Sequence, residues 1–162
     1  MEKNMLHIFR DHKFEVQLSD EVLLEMKTTA IGMLPNECGG ILIGRYQNEL
    51  MAAIVEHTSI NQDSKSGQTW FYRGIKGLKN LLLKHWKDGH YYIGEWHSHP
   101  YGSCNPSSTD LESLAQISVT KTAQCNTPIL LIIGGYSGSM DEILITVYEP
   151  TMKNYHTLKQ VH

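Results

Sequence analysis

YYIGEWHSH, Tyr91 to His99, is rich in aromatic residues, alternates with a period of two and stops at Pro100, so it reads as a strand delivering its last residues to a loop. Downstream, the loop YGSCNP leads to Ser107, and Ser107-Ser108-Thr109-Asp110 opens a helix running to about Ala123. Two further strands follow, PILLIIGGY and EILITVY, joined by a glycine/serine turn. The segment from Thr151 is ambiguous, an edge strand being one reading. Upstream, Ile75, Leu78, Leu82 and Trp86 mark a helix ended by Asp88-Gly89. The run GGILIGRY, Gly39 to Tyr46, reads as a buried strand, with Gln47-Asn48 as a turn and Leu50 to Thr58 as its hairpin partner. Ser59 to Thr69 is polar and aperiodic, a candidate mobile surface loop. Nearer the start, a short strand near Phe14 to Leu18 precedes a helix that Ser19 or Asp20 can cap; Leu23, Met26, Ala30 and Met33 keep helical spacing until Pro35. Strands and helices alternate without strict order. The expected fold class is therefore α/β in the α+β sense, a mixed sheet packed against helices rather than a doubly wound parallel sheet.

The chain has 162 residues, 41% of them hydrophobic and 19% charged, which fits a globular protein with room for a core and excludes disordered or fibrous classes. No repeat, low-complexity tract or linker divides it, so residues 1–162 are expected to form one domain. With 14 Lys+Arg against 17 Asp+Glu, the net charge is −3, and no basic run supports binding to a phosphate backbone; no nucleic-acid partner is expected. The longest apolar stretches, such as Ile129 to Ile133, are too short to span a bilayer, and the start MEKNMLHIFRDHK lacks a signal-peptide apolar region; no membrane partner and a cytoplasmic location are expected. Cys38, Cys104 and Cys125 form no C-x-x-C pair, which argues against a disulfide framework or a cysteine zinc knuckle. Nine histidines direct attention to metal chemistry instead.

His97 and His99 stand two apart on the expected strand, so both imidazoles point to one face, roughly 6–7 Å apart along the backbone. Asp110, in the first turn of the next helix, is a plausible third ligand. Three ligands from histidine and carboxylate, with a fourth position left for water, is the arrangement of catalytic rather than structural zinc. Such a centre still needs a base to carry a proton from water to a leaving amine. Glu37 is the candidate, since the glycines after Cys38 permit close approach of backbone and substrate. Ser107 can donate a hydrogen bond to the oxyanion of a tetrahedral intermediate.

H-S-H-P, the seven residues Pro100 to Pro106, then S-x-x-D, with a glutamate upstream, closely resembles the JAMM/MPN+ zinc isopeptidase signature. The resemblance implies one zinc ion (Zn2+) per chain on His97, His99 and Asp110, Glu37 as general base and acid, and Ser107 as oxyanion stabiliser. It covers about Asp20 to Tyr148 and implies a JAB/MPN domain, a curved mixed sheet flanked by helices. Cys-Gly-Gly-Ile-Leu-Ile-Gly looks like that family's first strand, while G-E-W-H-S-H-P and P-S-S-T-D are similar to the small prokaryotic JAB branch, whose members sit beside E1/E2-like ligase enzymes. More narrowly, the chain looks like the deconjugating peptidases of CBASS anti-phage operons, which remove a target from the C-terminus of a cGAS/DncV-like nucleotidyltransferase (CD-NTase). The implied partner is a protein substrate with an extended C-terminal tail, a CD-NTase or ubiquitin-like conjugate.

Each feature also has a plainer reading. Ser107 to Asp110 makes a good helix cap whatever its chemistry, and a cap would itself aim Asp110. Glu37 alone could be a solvated carboxylate. Glu95 shares the face of His97 and His99 and either orients a ligand or pairs with a charge, the latter being the simpler expectation. Cys38 reads as a small packed residue and Cys104 as a loop residue. His7, His12, His57, His85, His90, His156 and His162 have no ligand-like spacing and are expected to be surface or satisfied core histidines. Trp70, Trp86 and Trp96 read as core or groove aromatics, with Trp96, beside a ligand, a candidate to line a substrate channel. The letters lack a deaminase H-x-E with P-C-x-x-C, an H-E-x-x-H helix and a G-x-S-x-G elbow. Two alternatives stay open: hydrolysis at the C-terminus of another ubiquitin-like or sulfur-carrier protein, and a non-catalytic MPN-like interaction module, which typically lacks the ligands.

Overall fold

The computed structural model describes residues 4–59 and 61–162, so Met1 to Lys3 of the polar start and Ile60 of the Ser59–Thr69 stretch lie outside the described residues. Its elements are β1 (Leu6–Arg10), β2 (Glu15–Ser19), α1 (Asp20–Gly32), β3 (Gly39–Asn48), β4 (Met51–His57), β5 (Lys65–Ser66), β6 (Phe71–Tyr72), α2 (Leu78–Trp86), β7 (Tyr91–Pro100), α3 (Ser108–Val119), β8 (Ile129–Gly135), β9 (Glu142–Glu149) and β10 (Asn154–Val161). The mixed sheet expected from the sequence is present, and it curves until it closes on itself in the order β1-β10-β9-β8-β7-β3-β4-β2. Two neighbouring pairs, β2/β4 and β7/β8, are parallel. Each needs a crossover, supplied by the segments that contain α1 and α3.

Helices occupy both sides of the sheet. Ser19 Oγ accepts the Val22 N–H at 3.3 Å and starts α1. The apolar side of α1, Val22, Leu23, Met26 and Ala30, then joins Phe9, Leu18, Ile54, Trp96 and Leu131 in the main core. Alternate residues face the opposite way: Ile41 and Ile43 of β3 meet Leu78, Leu81 and Leu82 of α2, and Leu130 and Ile132 of β8 meet Leu114 and Ile117 of α3. Strands covered on both faces read as continuous apolar runs, which is why ILI and ILLII lack alternation.

A bulge in β7 sets which side chains look outward. The β3 register runs Leu42 opposite Gly94 and then Ile43 opposite Tyr92, so Ile93 is the extra residue. Tyr92 and Glu95, three apart, thereby share the outer face with His97 and His99, while Ile93, Trp96 and Ser98 are buried inside. A Cβ on Gly94 would sit 1.9 Å from the Ile129 carbonyl oxygen, so glycine is what lets β7 approach β8 here.

Several boundaries differ from the sequence reading. Strand β1 was not expected; it is short, carries Leu6 and Arg10 exposed, and gains its place by pairing with both β2 and β10. The ambiguous C-terminal segment is β10, paired on both sides rather than an edge. Helix α2 begins only at Leu78, because Gly77 (φ 85°) breaks the preceding turn, and it leaves Ile75 69% and Trp86 64% exposed. Trp70, likewise read as a core or groove aromatic, is 52% exposed. Helix α3 stops at Val119, where Thr120 turns extended. The Ser59–Thr69 stretch contains β5, which pairs with β6. Nearby, the Asp63 carboxylate accepts the N–H groups of Ile75 and Lys76, at 3.0 and 3.1 Å.

At the barrel end away from Pro100, charges link the β1–β2 connection to β9 and β10. His156 Nδ1 lies 2.6 Å from Asp11 Oδ2 and its Nε2 lies 2.7 Å from Glu149 Oε2, with the Lys13 ammonium on the other Glu149 oxygen. Burial pushes the Asp11 carboxyl up, but the N–H groups of Phe14 and Lys13 and the His156 ring hold it below its ordinary 3.8. Lys13 first, and His156 after it, hold Glu149 below 4.5. Depressed carboxylates stabilise the fold fully above their unfolded values, and that contribution is lost as pH falls through the folded ones. Urea midpoints measured on metal-free protein should therefore drop as pH is lowered below about 4, and His156→Ala should flatten that drop.

Candidate active site

Parallel pairing of β7 with β8 brings His99 opposite Gly134 at the sheet's end, beside the loop that leads to α3. Gly134 matters here because a Cβ would come within 3.1 Å of the Gly102 carbonyl oxygen, and Gly135 N–H donates to that same oxygen at 3.0 Å. So supported, the loop presents the Ser103 carbonyl, 2.9 Å from His99 Nδ1. Nδ1–H donating to that carbonyl leaves the Nε2 lone pair of His99 free, the tautomer a metal ligand needs. The Ser107–Asp110 capping box places the third group: Ser107 Oγ accepts the Asp110 N–H at 3.1 Å and Asp110 Oδ2 accepts the Ser107 N–H at 2.8 Å. Capping and site placement are one arrangement, since the cap aims the carboxylate at the histidines.

The ligand atoms converge. His97 Nε2 and His99 Nε2 are 3.1 Å apart, His97 Nε2 is 3.4 Å from Asp110 Oδ1, and His99 Nε2 is 3.5 Å from Asp110 Oδ2. A tetrahedral ion with zinc-like bonds of about 2.0 Å separates its ligand atoms by about 3.3 Å. The three groups therefore fit such an ion, and they form one of two groups among the described residues able to hold a metal. Burial opposes ionisation of Asp110, yet the adjacent His97 and His99 rings and the Ser107 N–H hold its carboxyl far below the usual carboxylate range.

Glu37 reaches the same place from another strand. Antiparallel pairing sets Gly39 opposite His97, and the Ser98 N–H donates to the Cys38 carbonyl at 2.8 Å, so the register carried on puts Glu37 across from His99. Cys38 is buried inward, its N–H donating to Ser98 Oγ at 3.0 Å. Glu37 thus stands on the outer face with the histidines. Burial raises its carboxyl above 4.5, opposed by the nearby His97 and His99 and reinforced by Asp110. The glycines after Cys38 serve strand packing rather than substrate approach: a Cβ on Gly39 would lie 2.2 Å from the Trp96 carbonyl oxygen, and one on Gly40 would lie 2.1 Å from that of Thr58.

Glu95 pairs with a charge, as its simpler reading expected. Arg73 Nε donates to its Oε2 at 2.8 Å and the Tyr92 hydroxyl to its Oε1 at 2.7 Å. Sequence reasoning missed Arg73 and the Ser103 carbonyl, which carry no motif. Trp96 is buried at 1% exposure, its indole N–H donating to the Thr58 carbonyl at 2.8 Å, so it is a core residue beneath the site that also borders the cleft at His97. A cleft of about 330 Å³ reaches His97 and Asp110, and it shares Arg73, Glu95 and Ile117 with a more apolar groove of about 870 Å³ between α2 and α3. All three cysteines are free. No helix among the described residues is long and apolar enough to cross a membrane.

Fold and site together define a class: a mixed-sheet α+β domain presenting two histidines and an aspartate able to hold a metal beside a half-buried glutamate. The chain belongs to the family of prokaryotic homologues of the JAB domain, whose model matches residues 19–146. It is 42% identical over 123 residues, 75% of this chain and 68% of the relative, to a CD-NTase/cGAS isopeptidase of Enterobacter hormaechei subsp. hoffmannii (strain UCI 50). The fold is shared with the solution structure of a Desulfitobacterium hafniense protein at a TM-score of 0.62 and 19% identity, covering 90% of this chain and 88% of that one. A Salinibacter ruber (strain DSM 13855) protein shares it at a TM-score of 0.55 and 18% identity, covering 86% of each chain.

Proposed function

We propose that this protein is a zinc-dependent isopeptidase that releases a protein conjugated through the C-terminal tail of a CD-NTase. The single observation that carries the reading is the convergence of His97, His99 and Asp110 within ligand distance beside Glu37; the 42% identity to a CD-NTase/cGAS isopeptidase supports the choice of substrate. In this reading residues 1–162 form one peptidase domain that acts in the cytoplasm, opposite an E1/E2-like ligase in anti-phage defence.

His97, His99 and Asp110 would hold the metal, which when bound supplies Lewis acidity to the scissile carbonyl and to water. Glu37 takes a proton from the attacking water and returns it to the leaving amine, a task for which partial burial and a raised pKa suit a carboxylate. Ser107 Oγ already accepts one N–H, so its own hydrogen is free to donate to the developing oxyanion. Arg73 and Glu95 form the wall along which the tail approaches.

Ser107 then has two roles, read separately by turnover and by stability. Ser107→Ala should lower kcat by about 10²–10³-fold and stability by about 1 kcal/mol, whereas Ser107→Thr should keep the cap; kcat and urea midpoints of both variants check this. The reading itself is tested by intact-mass analysis of zinc-loaded protein mixed with a CD-NTase fusion, a ubiquitin-like fusion and a sulfur-carrier fusion. Cleavage at the CD-NTase junction is expected. Cleavage of another fusion alone would move the substrate assignment to that carrier, and no cleavage at all would favour a binding role.

A further inference from the structure

We propose that Asp11, His12 and His156 form a second, structural site for a divalent transition-metal ion of the zinc type, at the end of the barrel opposite His97. The two ends are set by the ladder: His99 pairs with Gly134 and Gly134 with Glu142, whereas Glu149, at the far end of β9, lies beside His156.

One donor atom from each of Asp11, His12 and His156 lies within 4.8 Å of the other two. His12 Nδ1 stands 3.6 Å from Asp11 Oδ2, close to the roughly 3.3 Å between ligands on a tetrahedral zinc. Asp11 Oδ2 and His156 Nδ1, at 2.6 Å, share a proton in the metal-free protein, and an ion replacing it would need that gap to open by roughly 0.7 Å. The movement falls on the short β1–β2 connection, where the His12 side chain is 83% exposed.

A second feature goes beyond ligand proximity. His156, 5% exposed, turns its other nitrogen to Glu149 at 2.7 Å, the carboxylate–histidine pair that orients an imidazole bound to a metal. Lys13 occupies the remaining Glu149 oxygen, which keeps Glu149 an orienting group rather than a ligand. Asp11 is likewise aimed: its Oδ1 accepts the N–H groups of Phe14 and Lys13, at 2.7 and 2.8 Å, leaving Oδ2 toward the histidines. An ion here would tie the β1–β2 connection to β10 across the barrel's closing seam, a structural role distinct from any chemistry at His97.

The test uses zinc alone on chelator-stripped full-length chain, reading bound metal by native mass spectrometry and the thermal midpoint with and without zinc. Wild type is expected to take roughly two ions per chain. The His97→Ala/His99→Ala double variant and the His12→Ala variant should each take one, and the triple variant none. Zinc should raise the midpoint of the double variant and not that of the triple. If the double variant takes no zinc, the cluster is an ion-pair network only and the proposal fails. It fails too if the ion on the double variant survives His12→Ala, or is removed by His85→Ala, a half-buried histidine of α2 outside both sites. Equal zinc content in wild type and the double variant would instead overturn the centre at His97, so the two readings fall separately.

Discussion

Glu37→Gln is expected to keep its zinc and its fold while losing turnover of a tail-linked substrate by about 10²–10⁴-fold. Glutamine matches glutamate in shape, so the half-buried carboxylate that precedes β3 beside the histidines is replaced without opening a hole. What disappears is a group able to take and return a proton, in a position where burial already raises its pKa. His97→Ala and Asp110→Ala should behave differently, losing metal first and activity in consequence. Metal analysis and single-turnover rates on the same preparations separate these outcomes. If Glu37→Gln loses zinc as completely as His97→Ala, Glu37 is a ligand and the base must be sought elsewhere.

Gly94→Ala should cost a large part of the fold's stability. The new Cβ would stand 1.9 Å from the Ile129 carbonyl oxygen, a backbone atom of the parallel neighbour that cannot rotate away. Strand β7 would have to separate from β8 next to the bulge that turns Glu95 and His97 outward. A loss of about 3 kcal/mol or more is expected in urea unfolding, with a fall in zinc affinity because the His99–Gly134 level is in the same ladder. Gly32→Ala, whose Cβ meets nothing within 4 Å, is the control and should change little. Equal stability of the two variants would show that β7 and β8 are not held as closely as the ladder implies.

The parts of this protein that were legible in its sequence are those set by short-range geometry. Period two puts His97 and His99 on one face, and a capping box fixes where α3 begins and hence where Asp110 points. The doubly covered strands were legible as apolar runs, though not what covers them. Helix α2 was legible at its C-terminal end, where Trp86 precedes the Asp88-Gly89 turn, but not at its start, because Ile75 has the spacing of a buried face yet is exposed and lies before Gly77.

By itself, the sequence determined the α+β class, the strand–loop–helix that carries the two histidines and the aspartate, and the kind of chemistry such a set suits. Only the tertiary structure decided that the sheet closes, that Glu37 stands across from His99, that the Ser103 carbonyl selects the His99 tautomer, and that His156 meets Asp11 from 145 residues away. The division has a physical cause. Ligands on one strand and the next helix are placed by backbone periodicity and a cap, whereas groups on separate strands meet only through the register of a ladder, which depends on every strand between them.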